Sequence, residues 1–159
     1  MLDDPDVVAA RQERDAHGDA LVVAALDAIP GWVERGIRAR AGDVDRVVEL
    51  AAVAGAAAVA DAEVSLVASV RRLPGVEAGP APLQVLRSLV VHPTAALREL
   101  NVPVVARPAF ERDAFPDDVY GLAPATWSDV DPALHDLGLA WGAATAFLHQ
   151  RIRRAAPPS

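Results

Sequence analysis

Apolar residues recur at intervals of three and four along most of the chain, which is the spacing of one buried face on an α-helix. The pattern is clearest in a segment that starts with Asp131 and Pro132, a capping residue followed by a proline at the first helical position. Its predicted buried face consists of Leu134, Leu137, Trp141, Ala144, Leu148 and Ile152. A last helix is therefore predicted to reach Arg154.

The same spacing predicts the other helices, and glycine and proline predict their ends. The predicted helices span residues 5–17, 19–42, 43–73 and 82–100. Gly18 is expected to stop the first, Pro30 to kink or split the second, and Pro93 to interrupt the fourth, because glycine and proline disfavour a helix interior. The chain is thus predicted to be all-α, a compact bundle of about five helices.

Small residues line one face of the third and of the last predicted helix. Gly55 lies in an alanine-rich stretch of the third helix, and Gly138 and Gly142 are four residues apart in the last. Helix axes approach more closely where the side chains between them are small. These two helices are therefore predicted to pack against each other along the three glycines.

Residues 110–136 depart from the helical pattern. They contain four of the seven aromatic residues of the chain, and seven acidic residues against Arg112 alone, a local charge of −6. Three prolines exclude one continuous helix, whereas the aromatic content is too high for a disordered segment. We predict an ordered excursion before the last helix that is punctuated by proline and is both aromatic and acidic.

Composition is typical of a small globular protein with one core. The 159 residues suffice for a single domain, predicted over residues 1–154, with a frayed tail at 155–159. The acidic N-terminus is unlike a signal peptide, and the longest apolar run, residues 50–60, is too short to span a membrane. We therefore expect a cytoplasmic protein without a membrane partner.

Charge and residue types disfavour several functional classes. The net charge of −7 argues against nucleic-acid binding, since neutralising phosphates requires a basic surface. The chain has no cysteine and no lysine, which excludes disulfides, thiolate catalysis, cysteine-ligated metals and Schiff-base chemistry. No histidine lies three residues after a glutamate, and no EF-hand loop, phosphate-binding loop or nucleophile elbow is present. We expect neither a metal nor a cofactor.

Two weak arrangements keep an enzyme open as the alternative. Asp131 and His135 are four residues apart, close enough for the carboxylate to orient the imidazole, although helix capping by Asp131 is the ordinary explanation. Arg87 and His92 are similar to the Arg-x4-His signature of HEPN domains, helical bundles in which that pair can cut RNA. The first arrangement keeps a small hydrolase open as the alternative, and the resemblance implies an HEPN-like ribonuclease. Pro93 after the histidine disfavours the helical geometry of that motif.

A second resemblance covers about the last third of the chain. The segments PDDVYGL from Pro116, WSDVDPALH from Trp127 and GLAWGAA from Gly138 resemble a pattern in small uncharacterised helical proteins of high-GC actinobacteria. That family has no assigned activity. The resemblance implies a cytoplasmic location and an actinobacterial source, but it does not imply a mechanism.

The leading interpretation is a non-catalytic accessory or regulatory domain that binds another protein through residues 103–136. Aromatic side chains ringed by charge are common at interfaces, and the acidic excess favours a partner with a basic surface. The predicted partner-binding residues are Phe115, Asp117, Asp118, Tyr120, Trp127 and Asp129. A homodimer is a further alternative, as is a ligand-binding bundle with a cavity among Trp32, Trp141 and Phe147.

Overall fold

The computed structural model describes residues 2–157, and between them the chain forms helices, turns and loops without a strand. The predicted all-α class is confirmed. The helices are α1 (Pro5–Ala41), α2 (Arg46–Arg71), α3 (Pro82–Ser88), α4 (Val91–Glu99), α5 (Ala109–Ala114), α6 (Trp127–Val130) and α7 (Leu134–Ala155). The predicted last helix is present and ends one residue later than expected. Of the predicted tail, residues 158 and 159 lie outside the described residues.

α1 is the longest helix, and the two other long helices, α2 and α7, both pack on it. It contacts α2 and α7 extensively, whereas α2 and α7 have few contacts with each other. The predicted packing of these two helices along their glycines is therefore wrong. Gly55 faces Pro30 of α1, Gly138 lies under the ring of Trp127, and Gly142 faces open space. A small residue shows that something can approach a helix closely, but not which element does so.

α1 continues through Gly18 and Pro30, so the predicted stop and split are also wrong. A Cβ on Gly18 would lie 3.1 Å from Cβ of Val70 in α2 and 3.3 Å from Cδ1 of Trp141 in α7. The glycine therefore allows each of these two helices to pack closely on α1. A Cβ on Gly55 would lie 3.4 Å from Cα of Pro30, the point where α2 comes close to the α1 backbone. Tertiary packing overrides the local preference of these residues, as it does for most helices in proteins.

The buried apolar residues form two clusters of unequal size. The larger joins α1 to α2, α3, α4 and the start of α7, and includes Ile29, Leu66 and Leu97. The smaller contains only Val7 and Ala10 of α1 with Leu148 and Ile152 of α7. We call the two-helix part that surrounds the smaller cluster, residues 5–17 and 142–155, the arm.

Arg14 lies where the arm meets the rest of the bundle and is 0 % exposed. Its guanidinium donates to the main-chain carbonyls of Arg72 (2.7 Å) and Arg71 (3.0 Å) and to the carboxylate of Asp15 (3.0 Å). The last carbonyls of a helix lack partners within the helix and carry partial negative charge. Arg14 therefore caps the C-terminus of α2 from a neighbouring helix.

The turn between α1 and α2 requires glycine and is closed by an arginine. Gly42 has φ +75°, a left-handed conformation that other residues rarely adopt. Arg38 donates to the carboxylates of Glu34 (3.0 Å) and Asp43 (2.6 Å). These hydrogen bonds, first that with Glu34, raise the pKa of Arg38 and hold its guanidinium across the turn.

α2 is the one described helix that is long and apolar enough to cross a membrane by length and composition. In the structure it packs on α1, and 39 % of its most apolar window is buried. Asp61 and Glu63 lie near the middle of its sequence, and both side chains are exposed to solvent. Charged side chains at the centre of a bilayer are costly, which favours a role for α2 as a helix of the bundle.

Candidate functional site

From here the excursion denotes residues 103–136, the predicted binding segment that includes residues 110–136. Arginines of the bundle donate hydrogen bonds to its main-chain carbonyls. The pairs are Arg35 with Val130 (2.5 Å), Arg40 with Tyr120 (3.0 Å), and Arg87 with both Pro124 (2.8 Å) and Ala125 (3.0 Å). Irregular backbone that packs against a core must find partners for its carbonyls, and here the bundle supplies them. The segment is therefore an ordered part of the fold.

Asp118, predicted to contact a partner, is 3 % exposed and holds the excursion together instead. Its carboxylate accepts hydrogen bonds from the amides of Leu122 (2.7 Å) and Ala123 (2.8 Å). Arg107 donates to the main-chain carbonyl of Asp118. A buried carboxylate that satisfies two amides stabilises a turn, and it is not accessible to another molecule.

Two further acidic residues also accept backbone amides. Asp129, another predicted partner-binding residue, is exposed but accepts from the amides of residues 125 and 126 (2.9 and 3.0 Å) at the start of α6. Asp131 accepts from the amide of Ala133 (2.8 Å), and it does not hydrogen-bond His135, which is exposed. The carboxylate of Asp131 thus organises the start of α7, and the Asp131–His135 arrangement is not assembled as a catalytic pair.

Two of the predicted partner-binding aromatics are structural. Tyr120 is 1 % exposed, and its hydroxyl donates to the carbonyl of Val102 (2.6 Å). Trp127 is half-buried against the core, with its indole over the backbone of Gly138. Tyr120, predicted to contact a partner, is therefore not accessible to one, and Trp127 presents only part of its ring.

The most exposed aromatic residue among those described, Phe110, lies on α5. None of the six residues of this helix is buried, and Phe110 is 73 % exposed. Phe115 follows directly and is 39 % exposed, and Asp113 and Asp117 are exposed next to them. Neither aspartate forms an ion pair with any residue between 2 and 157. We call Phe110, Asp113, Phe115 and Asp117 the α5 face; it keeps two of the six predicted residues.

Phe115 separates two grooves. One, of about 300 Å³, is lined by Val90, Val91 and Pro116 among others, and the second, of about 260 Å³, by Arg107 and Pro124. Arg87 borders both, with its guanidinium carbon 6.0 Å from the centroid of the Phe115 ring. The first groove has apolar walls beside the Phe115 ring and can receive apolar side chains from another protein, whereas the second is walled largely by charged residues.

The two residues of the predicted Arg-x4-His pair lie on different helices and contact different partners. Arg87 is on α3 and uses its guanidinium on carbonyls of the excursion, whereas His92 is on α4. Nε2 of His92 lies 3.0 Å from Oδ2 of Asp61 on α2, and the Asp61 side chain is 54 % exposed. This contact ties α4 to α2. Among the described residues no group of three or more histidine, aspartate or glutamate side chains is placed to hold a metal ion.

The cavity proposed among Trp32, Trp141 and Phe147 does not form. Trp32 is buried in the larger cluster, and Nε1 of Trp141 donates to the carbonyl of Val70 (3.1 Å). Phe147 is 42 % exposed and lines an open groove between α1 and α7 whose other walls include neither tryptophan. The three side chains therefore do not surround one ligand site.

Comparison with known proteins does not place the chain in a family. The resemblance to actinobacterial helical proteins accordingly stays an interpretation of three short segments. No family model, no curated protein and no solved structure matches the chain.

Proposed function

We propose that the chain is a non-catalytic, cytoplasmic interaction domain that binds a partner protein through the α5 face. The observation that supports this most directly is Phe110, which is 73 % exposed on a helix that buries none of its residues. The backbone behind it is held by Arg107, Asp118 and Tyr120, so the face is presented on a fixed support. Aromatic residues on an ordered surface are typical anchors of protein interfaces.

The chemistry of the α5 face restricts the partner. Phe115 and the apolar groove beside it suit an apolar patch on the partner, because aromatic anchors contribute most when they enter a complementary pocket. Asp113 and Asp117 have no ion-pair partner within the described chain and favour arginine or lysine around that patch. The partner is therefore proposed to be a protein with a basic rim. Nucleic acid is disfavoured by the net charge of −7.

Photo-cross-linking tests the location of the binding surface. A photoreactive phenylalanine analogue at position 110 is expected to give a discrete adduct with a partner protein from the native host. The matched control carries the same analogue at Val53, which is 64 % exposed on α2 and distant from the excursion in the chain. Adducts that form equally at both positions, or at position 53 alone, would contradict the proposal.

The partner identified in this way allows a quantitative test. Phe110→Ala is expected to weaken binding about tenfold or more, through faster dissociation, because a buried aromatic anchor acts after encounter. Asp113→Asn with Asp117→Asn should slow association and reduce its salt dependence, since these charges act during approach. Both variants should keep the melting temperature of the wild type, because the substituted side chains are exposed. Unchanged affinity and rates in both variants would exclude the α5 face.

A further inference from the structure

α7 has two faces with the spacing of a helix seam. The inward face packs on α1 and on the excursion, and includes Leu134, Gly138, Leu148 and Ile152, all buried. The outward face repeats at intervals of three and four with every member exposed: Asp136, Leu139, Ala143, Ala146, Gln150 and Arg153. That alternation is the spacing at which two helices wind around each other. The outward face of α7 thus has the pattern of a second helix contact that the single chain leaves unused.

The outward seam is apolar in its centre and oppositely charged at its ends. Leu139 is 59 % exposed, and Ala143 and Ala146 follow it. Asp136 closes the seam at the N-terminal end and Arg153 at the C-terminal end, and neither forms an ion pair with a residue between 2 and 157. A negative charge at one end and a positive charge at the other make the seam complementary to a reversed copy of itself.

We propose that α7 pairs antiparallel with α7 of a second copy of the chain, about a two-fold axis between Ala143 and Ala146. In this register Ala143 faces Ala146 of the second copy, and each Leu139 faces a Gln150, whose methylene groups cover it. Each Asp136 then faces an Arg153, once at either end of the pair. All six seam positions meet in consistent layers over about 26 Å of helix.

A groove beside the seam extends the contact. It measures about 400 Å³ and is lined by Ala10, Glu13 and His17 of α1 and by Ala140 and Phe147 among the α7 residues. Residues on the same flank of the seam meet when two helices pair antiparallel. Phe147 of the second copy therefore lies at the mouth of this groove, near Ala140. The Phe147 ring is 42 % exposed in the single chain. In the dimer each copy buries its Phe147 ring against the other copy, which adds apolar area to a seam of small side chains.

The outward face of α2 is a second apolar helix surface, with Val53, Val64 and Val67 exposed. Its seam of three and four residue steps has Arg46 at one end and Arg71 at the other. Both arginines already form ion pairs within the chain, Arg46 with Glu99 (2.9 Å) and Arg71 with Asp19 (2.8 Å). The ends of this seam therefore offer no free opposite charges to a reversed copy. Charge complementarity thus selects α7 as the self-association surface.

A charge exchange tests the proposed register by sedimentation equilibrium. The wild type is expected to dimerise as its concentration rises toward about 1 mM, an affinity appropriate to a small two-helix contact. Asp136→Arg places like charges at both ends and should weaken the dimer about threefold to tenfold, as should Arg153→Asp. The double exchange restores both pairs and should recover the wild-type dissociation constant. A double variant as weak as the single ones, or a wild type that stays monomeric, would overturn the proposal.

Disulfide trapping tests the orientation, and the absence of cysteine from the wild type keeps the result unambiguous. Chains with Ala143→Cys mixed with chains with Ala146→Cys should form a 143–146 disulfide dimer faster than either variant alone, because those positions face each other. A parallel pair would instead link identical positions in each variant by itself. Equal trapping of a Val53→Cys control would indicate random collision, and either of these results contradicts the antiparallel pair.

Discussion

Gly138 lies directly beneath the indole ring of Trp127, so close that a Cβ on the glycine would overlap the five-membered ring. Trp127 begins α6 and Gly138 lies in the first turns of α7, so this contact fixes the angle between the two helices. Gly142, one turn later in α7, has no atom within 4 Å of the place where its Cβ would lie. Packing against Trp127 therefore requires glycine at position 138, whereas no neighbouring atom requires it at position 142.

Gly138→Ala is expected to destabilise the protein by about 1–3 kcal/mol, because the added methyl group must displace Trp127 or the helix backbone. Gly142→Ala is the matched control and should be neutral or stabilising by about 0.5–1 kcal/mol, since alanine favours a helix over glycine. Urea unfolding followed by tryptophan fluorescence measures both. Equal stability of the two variants would show that the indole does not restrict position 138.

Asp118→Asn is expected to cost about 1–3 kcal/mol of unfolding free energy. The carboxylate accepts hydrogen bonds from two backbone amides, whereas the asparagine side chain has one oxygen, so its NH₂ group would face one of those amides, and neither can accept a hydrogen bond. Asp117→Asn is the control, since the neighbouring aspartate is exposed and should change stability by less than about 0.5 kcal/mol. Thermal melting distinguishes them. If Asp118→Asn has the same melting temperature as the wild type, the turn at residues 118–123 does not depend on the carboxylate.

Tyr120→Phe removes the hydroxyl that donates to the carbonyl of Val102 and leaves the ring in place. The expected loss is about 0.5–1.5 kcal/mol, the usual net contribution of a hydrogen bond. Chemical denaturation of Tyr120→Phe beside the wild type measures it. A variant more stable than the wild type would show that water satisfies the carbonyl at least as well as the tyrosine.

Arg14→Met keeps an extended side chain but removes the donors that cap α2, and it should cost about 1.5–3 kcal/mol, the range for hydrogen bonds from charged groups. Amide exchange should quicken first in the last turn of α2. Arg11→Met is the control: that side chain is 47 % exposed and 4.0 Å from Asp15, and surface ion pairs of this kind contribute little. Equal stability of the two variants would contradict the capping role of Arg14.

The sequence predicted the elements better than their contacts. Apolar spacing located α7, and proline and glycine located the loop between the predicted helices 43–73 and 82–100, because both signals depend on residues close in the chain. Gly18 misled the prediction because its role depends on Val70 and Trp141, which are distant in sequence and invisible to local propensity. Gly55 was correctly expected to permit a close approach, but the approaching residue is Pro30.

The candidate site was harder to predict, because an aspartate that accepts backbone amides looks the same in sequence as one that is free. Asp118 offered no local signal that distinguishes it from Asp117. Asp129 did offer one, since it follows Thr126 by three residues in the spacing of a capping box. Phe110 belongs to the predicted excursion, but its exposure depends on how α5 is placed by Arg107, which no periodicity reveals.

The division of the buried residues into two clusters has a consequence for cooperativity. The arm is held by four buried apolar residues, far fewer than the larger cluster, and both α1 and α7 continue from one cluster into the other. Such a part can open by itself at a lower free energy than global unfolding requires. Amides of residues 145–152 should then exchange faster than those of the middle of α1, and a ligand that binds only the closed arm would slow them in proportion to its occupancy. The molecule would thus unfold in two steps, with the arm as the unit whose stability a binding partner can set.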